Sequence, residues 1–197
     1  MKRSTVERVA GVRPVAVEGI FYRHAAVNRD AFAGGLHGRW GAHFPVIYLG
    51  RPEAAPVAEA YRHLVEEAGI PAHAVQPRVL YTVRVRAQDI VDLTDPANLD
   101  QVGLTDDDLT SVVDDYERCQ EVAAAAHQLT RHGVLAPAAH GLGETLALFR
   151  QRIDHRELPV VEQETIWTQL PPDPREARVH RTLRAVRGEH GRGQGAG

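Results

Sequence analysis

The sequence predicts an α+β or mixed-sheet fold, and three observations point there. Strand-like and helix-like segments follow one another irregularly, without the strand–helix rhythm of a doubly wound sheet. The paired glycines Gly34-Gly35 and Gly141/Gly143 do not form a GxGxxG turn after a strand, which sets aside a Rossmann dinucleotide unit. Of 197 residues, 43% are hydrophobic and 25% charged, which is ample for one packed domain.

Residues 19–22 (GIFY) are a short apolar run leading into Arg23 and read as a first strand. Residues 32–42 (FAGGLHGRWGA) are glycine-rich, so a loop is expected, with backbone free to approach a ligand. Residues 45–49 (PVIYL), bounded by Pro45 and Gly50, read as a buried strand. A helix is predicted from Pro56 to Gly69, with Val57, Ala60, Leu64 and Ala68 as its apolar stripe. Glu59 lies about 200° round the axis from Val57, off that stripe.

Residues 79–85 (VLYTVRV) alternate as a strand does, and Ile90–Leu93 forms another short extended piece. Thr105 followed by Asp106, Asp107 and Asp108 is a helix start, and these acids, with Asp114 and Asp115, read as caps rather than a cation site. A longer helix is predicted from about Asp115 to Arg131, lined inside by Cys119, Val122, Ala126 and Leu129 and stopped by Gly133. Residues 133–136 and 145–149 supply further strands around a turn, His140-Gly141-Leu142-Gly143. After Leu170 the composition changes to proline, arginine and glycine, so a domain of residues 1–170 with a flexible tail of 171–197 is expected. Residues 177–186 could form a helix on a partner, ahead of a disordered end.

Composition also excludes function classes. A formal net charge of −3 gives no footing for a nucleic-acid binder. Cys119 is the single cysteine, so no internal disulfide forms and a reducing cytoplasm suits the chain. No apolar run approaches the roughly 18 residues of a bilayer span, and no signal-peptide core follows the basic start. A soluble, cytoplasmic protein is expected. Eleven histidines raise a metal hypothesis, but no HExxH-type pair supports it, and no metal is expected.

The segment from Phe21 to Glu59 carries the chemistry. Arginine's planar fork grips phosphate oxygens in pairs, which suits the pyrophosphate of a dinucleotide, and Arg23 and Arg39 stand close in sequence to a strand tyrosine, Tyr48. A tyrosine stacks on a planar ring and offers a hydroxyl. A helical glutamate, Glu59, can accept from ribose hydroxyls and oppose positive charge growing on an anomeric carbon. Together they compose a site for N-glycosidic cleavage. His37, His43 and His140 fall in loops within reach of a phosphate, and Trp40 either walls the cleft or packs its loop.

The ordered run Tyr22-Arg23, Gly38-Arg39-Trp40, Pro45-Val46-Ile47-Tyr48-Leu49 and Ala58-Glu59 resembles the signature of the RES-domain toxin family. Landmarks at residues 97–108, Cys119-Gln120 and residues 133–138 follow in the same order, so the resemblance covers roughly residues 20 to 155. It is closest to the branch that phosphorolyses NAD. The resemblance implies a split mixed sheet with surrounding helices, as in ADP-ribosyltransferase toxins, with NAD in the cleft and no metal. It implies that Arg23 and Arg39, flanked by His24 and Trp40, hold the pyrophosphate and adjacent ribose. Tyr48 would stack on nicotinamide, and Glu59 would steady the oxocarbenium-like transition state. Phosphate or water would then attack. The partner it implies is an Xre-type helix-turn-helix antitoxin.

Two departures stand out. Gly41 replaces the asparagine usual after the family's Arg-Trp, and Ala138 occupies the position of the family serine. Alternatives in view are a mono-ADP-ribosyltransferase acting on a protein, and a catalytically weak module kept for antitoxin binding.

Overall fold

The computed structural model describes residues 4–41, 43–111 and 115–176. Its strands are β1 (Val15–Ala26), β2 (Val46–Arg51), β3 (Arg78–Asp92), β4 (Gly133–Pro137), β5 (Glu144–Phe149) and β6 (Val160–Trp167). They fall into two antiparallel halves, β6–β3–β1 and β2–β5–β4. Two narrow seams join the halves: three parallel pairs between β3 and β4, and the single pair Tyr22–Gly50 between β1 and β2. The sheet is therefore mixed and split.

Alternation along the strands assigns each side chain to a core layer. On β2 and β5, Ile47, Leu49, Leu146 and Leu148 point into a layer shared with Phe21, Val83 and Val85 of the other half. Their neighbours Val46, Ala147 and Phe149 point the other way, onto a layer completed by helices. That second layer is covered by α1 (Thr5–Ala10), α3 (Pro96–Val102), α4 (Asp106–Thr110) and α5 (Glu117–Gln128). Both faces of β2 and β5 are buried, which is why PVIYL reads as an unbroken apolar run.

Several elements differ from the sequence reading. The two extended pieces at 79–85 and 90–93 are one strand of 15 residues, because β1 pairs with it from Arg78 to Ile90, across one irregularity of register between Ala87 and Ile90. The first strand runs far beyond residues 19–22 for the same reason. The long helix ends at Gln128, where Thr130 takes a left-handed φ of 58°. Gly133 is not its stop. It opens β4, where an added Cβ would lie 2.3 Å from the Ala147 carbonyl oxygen. The Thr105 start holds: its hydroxyl accepts from the Asp108 N–H while the Asp108 carboxylate returns to the Thr105 N–H, a full capping box. The Ala177–Val186 segment, the glycine-rich end and Asp114 lie outside the described residues.

The helix predicted from 56 to 69 also changes. It is α-helical from Ala54 to Ala60 (α2) and π-helical from Tyr61 to Glu67, closing with an i→i+5 bond from the Ala68 N–H to the His63 carbonyl. The apolar stripe persists through Val57, Ala60 and the partly buried Leu64, packed on Leu80 and Trp167, but Ala68 is exposed. Winding at i→i+5 shifts the angular count after residue 60. Arg62, about 140° from Val57 on an α-helical count, is buried instead.

Candidate active site

A cavity of about 650 Å³ opens where the two half-sheets part, within the range of small-molecule sites. Its walls come from β1, β2, the 37–40 loop, α2 with its π-helical extension, and the β4–β5 turn. All six residues singled out from the sequence line it: Arg23, His24, Arg39, Trp40, Tyr48 and Glu59. His37 and His140 line it too, whereas His43 does not.

Arg23 sits just beyond the Tyr22–Gly50 pair, where β1 and β2 have separated. Its guanidinium bridges the gap by donating from Nη1 to the Tyr48 carbonyl at 3.1 Å. Its Nε is buried with no protein partner, and burial lowers the pKa, so the group stands with unspent donors at the cleft. His24, next along β1, accepts from Arg78 Nε at Nδ1, 2.6 Å away, and stacks on Trp167 at 6.0 Å between centroids. Burial, then the Arg78 charge, pushes its pKa down to about 3, so it is a neutral wall.

Arg39 is 8% exposed and is held from behind. Nη1 donates to the Asp108 carbonyl at 2.5 Å and Ser111 Oγ at 3.1 Å, Nη2 donates to the Ser111 carbonyl at 2.8 Å, and Cζ lies 4.3 Å from the Tyr116 ring centroid. None of these partners is a carboxylate, so its full charge remains available to an anion. Trp40 is 2% exposed and packs in the helix-covered core while its edge reaches the cavity. Its backbone N–H donates to Tyr48 Oη at 3.0 Å. Tyr48 in turn lies against Gly38, where φ is +135° and a Cβ would come within 2.7 Å of Oη. Glycine is needed there both for the backbone turn and for the ring's room. Burial raises the Tyr48 pKa, which keeps the phenol neutral.

Glu59 stands at the last turn of α2 with its side chain 39% exposed. Its Oε1 is 2.7 Å from His63 Nε2, and its Oε2 is 3.7 Å from His140 Nε2. Burial on its own would raise the carboxyl pKa, but the His63 hydrogen bond and charge outweigh it and hold the value at about 2. His63 also reaches Glu67 Oε2 from Nδ1, at 2.5 Å. The bond to Glu59 leads the causes that lift the His63 pKa to about 9. His140 stays neutral: burial lowers its pKa, and its Nδ1 accepts the Leu142 N–H at 3.3 Å.

The sequence reading missed His63, Glu67 and Arg62. Glu59, His63 and Glu67 are spaced i, i+4, i+8, a pattern of helix-face neighbours that was visible in the chain. Arg62 was hidden by the π-helical winding. It reaches Glu67 Oε1 at 3.2 Å through Nε and the Ser111 carbonyl at 2.8 Å through Nη2. Gln120, on α5, fixes the arginine loop by donating to the Gly38 carbonyl at 3.0 Å.

The two departures have local settings. A Cβ at Gly41 would lie 2.8 Å from Val46 Cγ2, so a larger residue there needs a shifted loop. Ala138 is 3% exposed, and the cavity wall beside it is made by Pro137, Ala139 and His140. Among the described residues, no group of three or more His, Cys, Asp or Glu side chains could hold a metal ion. No described helix is long and apolar enough to cross a membrane.

The protein is thus of the α+β class, with Arg23, Arg39, Arg62 and His63 gathered round the carboxylates of Glu59 and Glu67 along one cavity. The model of the RES domain family matches residues 13–185, and the chain belongs to that family. The NAD(+) phosphorylase MbcT of Mycobacterium tuberculosis is 36% identical to it over 143 residues, which is 66% of this chain and 73% of the relative. The protein of the same name from Mycobacterium bovis matches to the same extent. A chain in the crystal structure of the M. tuberculosis MbcT–MbcA toxin–antitoxin complex superposes with a TM-score of 0.72 at 29% identity. The match covers 93% of this chain and 98% of that one.

Proposed function

We propose that this chain is the toxin of a toxin–antitoxin pair and degrades NAD by breaking its nicotinamide–ribose bond, with inorganic phosphate as the acceptor. Membership of the RES family and the likeness to NAD(+) phosphorylases support the substrate. The observation that carries the chemistry is the ionised Glu59 carboxylate facing a cavity lined by Arg23, Arg39 and Tyr48. The split sheet supports the likeness to ADP-ribosyltransferase toxins.

The reaction needs little acid or base. Nicotinamide is a pyridinium while bound in NAD, so the C–N bond pair passes to the ring nitrogen and the ring departs neutral without needing a proton. Positive charge then grows on the anomeric carbon and ring oxygen, and a fixed carboxylate beside them stabilises that charge. Glu59 takes this role. Its Oε2, free of hydrogen bonds to His63, accepts from a ribose hydroxyl. Arg23 and Arg39 bind the pyrophosphate, His24 and Trp40 wall that region, and Tyr48 packs on the nicotinamide ring. A phosphate oxygen bonds to the anomeric carbon, giving ADP-ribose phosphate, and the attacking phosphate loses a proton to solvent.

The partner is an antitoxin, a reading that the solved toxin–antitoxin complex supports; we assign it to the Xre-type helix-turn-helix class and seat it over the cleft. The segment after residue 170 is a further contact for it. Activity belongs in the cytoplasm, where NAD and phosphate are abundant. Expression in a bacterial host tests the reading: wild-type chain depletes cellular NAD and arrests growth, and Glu59→Ala does neither. Equal arrest by both proteins rejects it, and label transfer from NAD to a polypeptide would favour a mono-ADP-ribosyltransferase.

A further inference from the structure

A chain of hydrogen bonds and one ion pair links Glu59 to Arg39 beside the cleft. Glu59 Oε1 meets His63 Nε2 at 2.7 Å, and His63 Nδ1 meets Glu67 Oε2 at 2.5 Å. Glu67 Oε1 meets Arg62 Nε at 3.2 Å, and Arg62 Nη2 donates to the Ser111 carbonyl at 2.8 Å. That same carbonyl accepts from Arg39 Nη2 at 2.8 Å. We infer that His63, backed by Glu67 and Arg62, is a positioning residue that locks the Glu59 carboxylate in its reactive orientation and couples it to Arg39.

The inference rests on the NAD-cleaving reading for its kinetic consequence, but its structural part stands alone. A glutamate side chain gives up rotamer freedom when it is fixed. Fixing it before substrate arrives removes that cost from the reaction step and points the charge where it develops. His63 is suited to this because both ring nitrogens have carboxylate acceptors, which requires both to carry protons. One carboxylate oxygen is thereby bound, and the other is left to the substrate.

Of the groups facing this chain, His140 Nε2 comes within 3.7 Å of Glu59 Oε2, the oxygen that His63 does not hold. From β1 comes His24, which is neutral, and from the β4–β5 turn His140, also neutral. On the outer side Arg175 is paired with Glu66 and Asp173, and Tyr116 packs under Arg39. The charges acting on His63 are therefore those of Glu59 and Glu67, which favour the imidazolium, and burial, which opposes it.

Two measurements on the full chain test this. In a proton NMR titration, assigned with His63→Gln, the His63 imidazole should titrate far above the ordinary histidine value of about 6.5. Its midpoint should fall by about one unit or more in Glu67→Gln. A midpoint near 6.5 in the wild type overturns the inference whether or not NAD is consumed. In kinetics, His63→Gln should lower kcat about 10–100-fold, the usual loss for a supporting group behind a reactive one. KM for NAD should stay close to wild type. The wild-type kcat should decline as pH rises through about 9, and that decline should be absent from the variant. Wild-type kcat and an unaltered pH profile in His63→Gln overturn the inference. If the wild type leaves NAD intact while His63 titrates high, the functional reading fails and the hydrogen-bonded chain survives it.

Discussion

Glu59 and Arg23 are set apart from ordinary surface charges by what surrounds them. The Glu59 carboxyl stays ionised because an imidazolium sits 2.7 Å away, and Arg23 keeps a buried Nε without a protein partner. These features belong to groups held ready for a ligand. Glu59→Gln keeps the shape and removes the charge, so kcat for NAD cleavage should drop about 10²–10³-fold, comparable to losing one transition-state contact. Arg23→Lys should act differently, raising KM for NAD by about tenfold or more, because an ammonium cannot reproduce the guanidinium's paired donors. Steady-state rates with each variant separate the two roles. The candidate residues of the site were legible in the sequence, since Arg, Tyr and Glu at these positions suit a dinucleotide and an anomeric cation. Their supports were less so. His63 and Glu67 were written at i, i+4 spacing and passed over, whereas Arg62 could not be found by counting 100° steps through a segment that is not α-helical.

At the scale of elements, the sequence signals that worked were local and chemical. Thr105 with three following aspartates marked α4, and its capping box is present. Thr105→Ala should cost about 1 kcal/mol in urea unfolding. The signals that failed were those set by the partner strand. Nothing within residues 78–92 says that two extended pieces form one strand; the pairing with β1, which resumes at Ile90 after an irregularity of register, does. Gly133 shows the same thing from the other side. It looked like a helix stop, yet its lack of a Cβ serves the approach of β5, with the Ala147 carbonyl oxygen 2.3 Å from where that carbon would be. Gly133→Ala should therefore destabilise by about 1–3 kcal/mol through overpacking, read from the same unfolding curves.

At the scale of the molecule, splitting the sheet makes the site. Two half-sheets that meet on this side only at the Tyr22–Gly50 pair of β1 and β2 leave a gap whose walls carry Arg23, Tyr48 and the glutamate helix together. Global stability should report the ionic groups of that gap. The folded His63 pKa is raised, so its contribution is complete below 6.5 and is lost as pH rises through about 9. The folded Glu59 pKa is depressed, so its contribution is complete above 4.5 and is lost as pH falls towards about 2. The thermal midpoint should fall between pH 6.5 and 9 in wild type, and more shallowly in His63→Gln. Because His63 is 44% exposed, solvent screening keeps this effect small. NAD, binding only the folded chain, should raise the midpoint, and the rise should shrink in Arg23→Lys.

Mass spectrometry of purified chain incubated with NAD and inorganic phosphate tests the central claim most directly. Free nicotinamide and ADP-ribose bearing one added phosphate should appear together, and both should form about 10²–10³-fold more slowly with Glu59→Gln. Unchanged NAD in the presence of phosphate would contradict the claim.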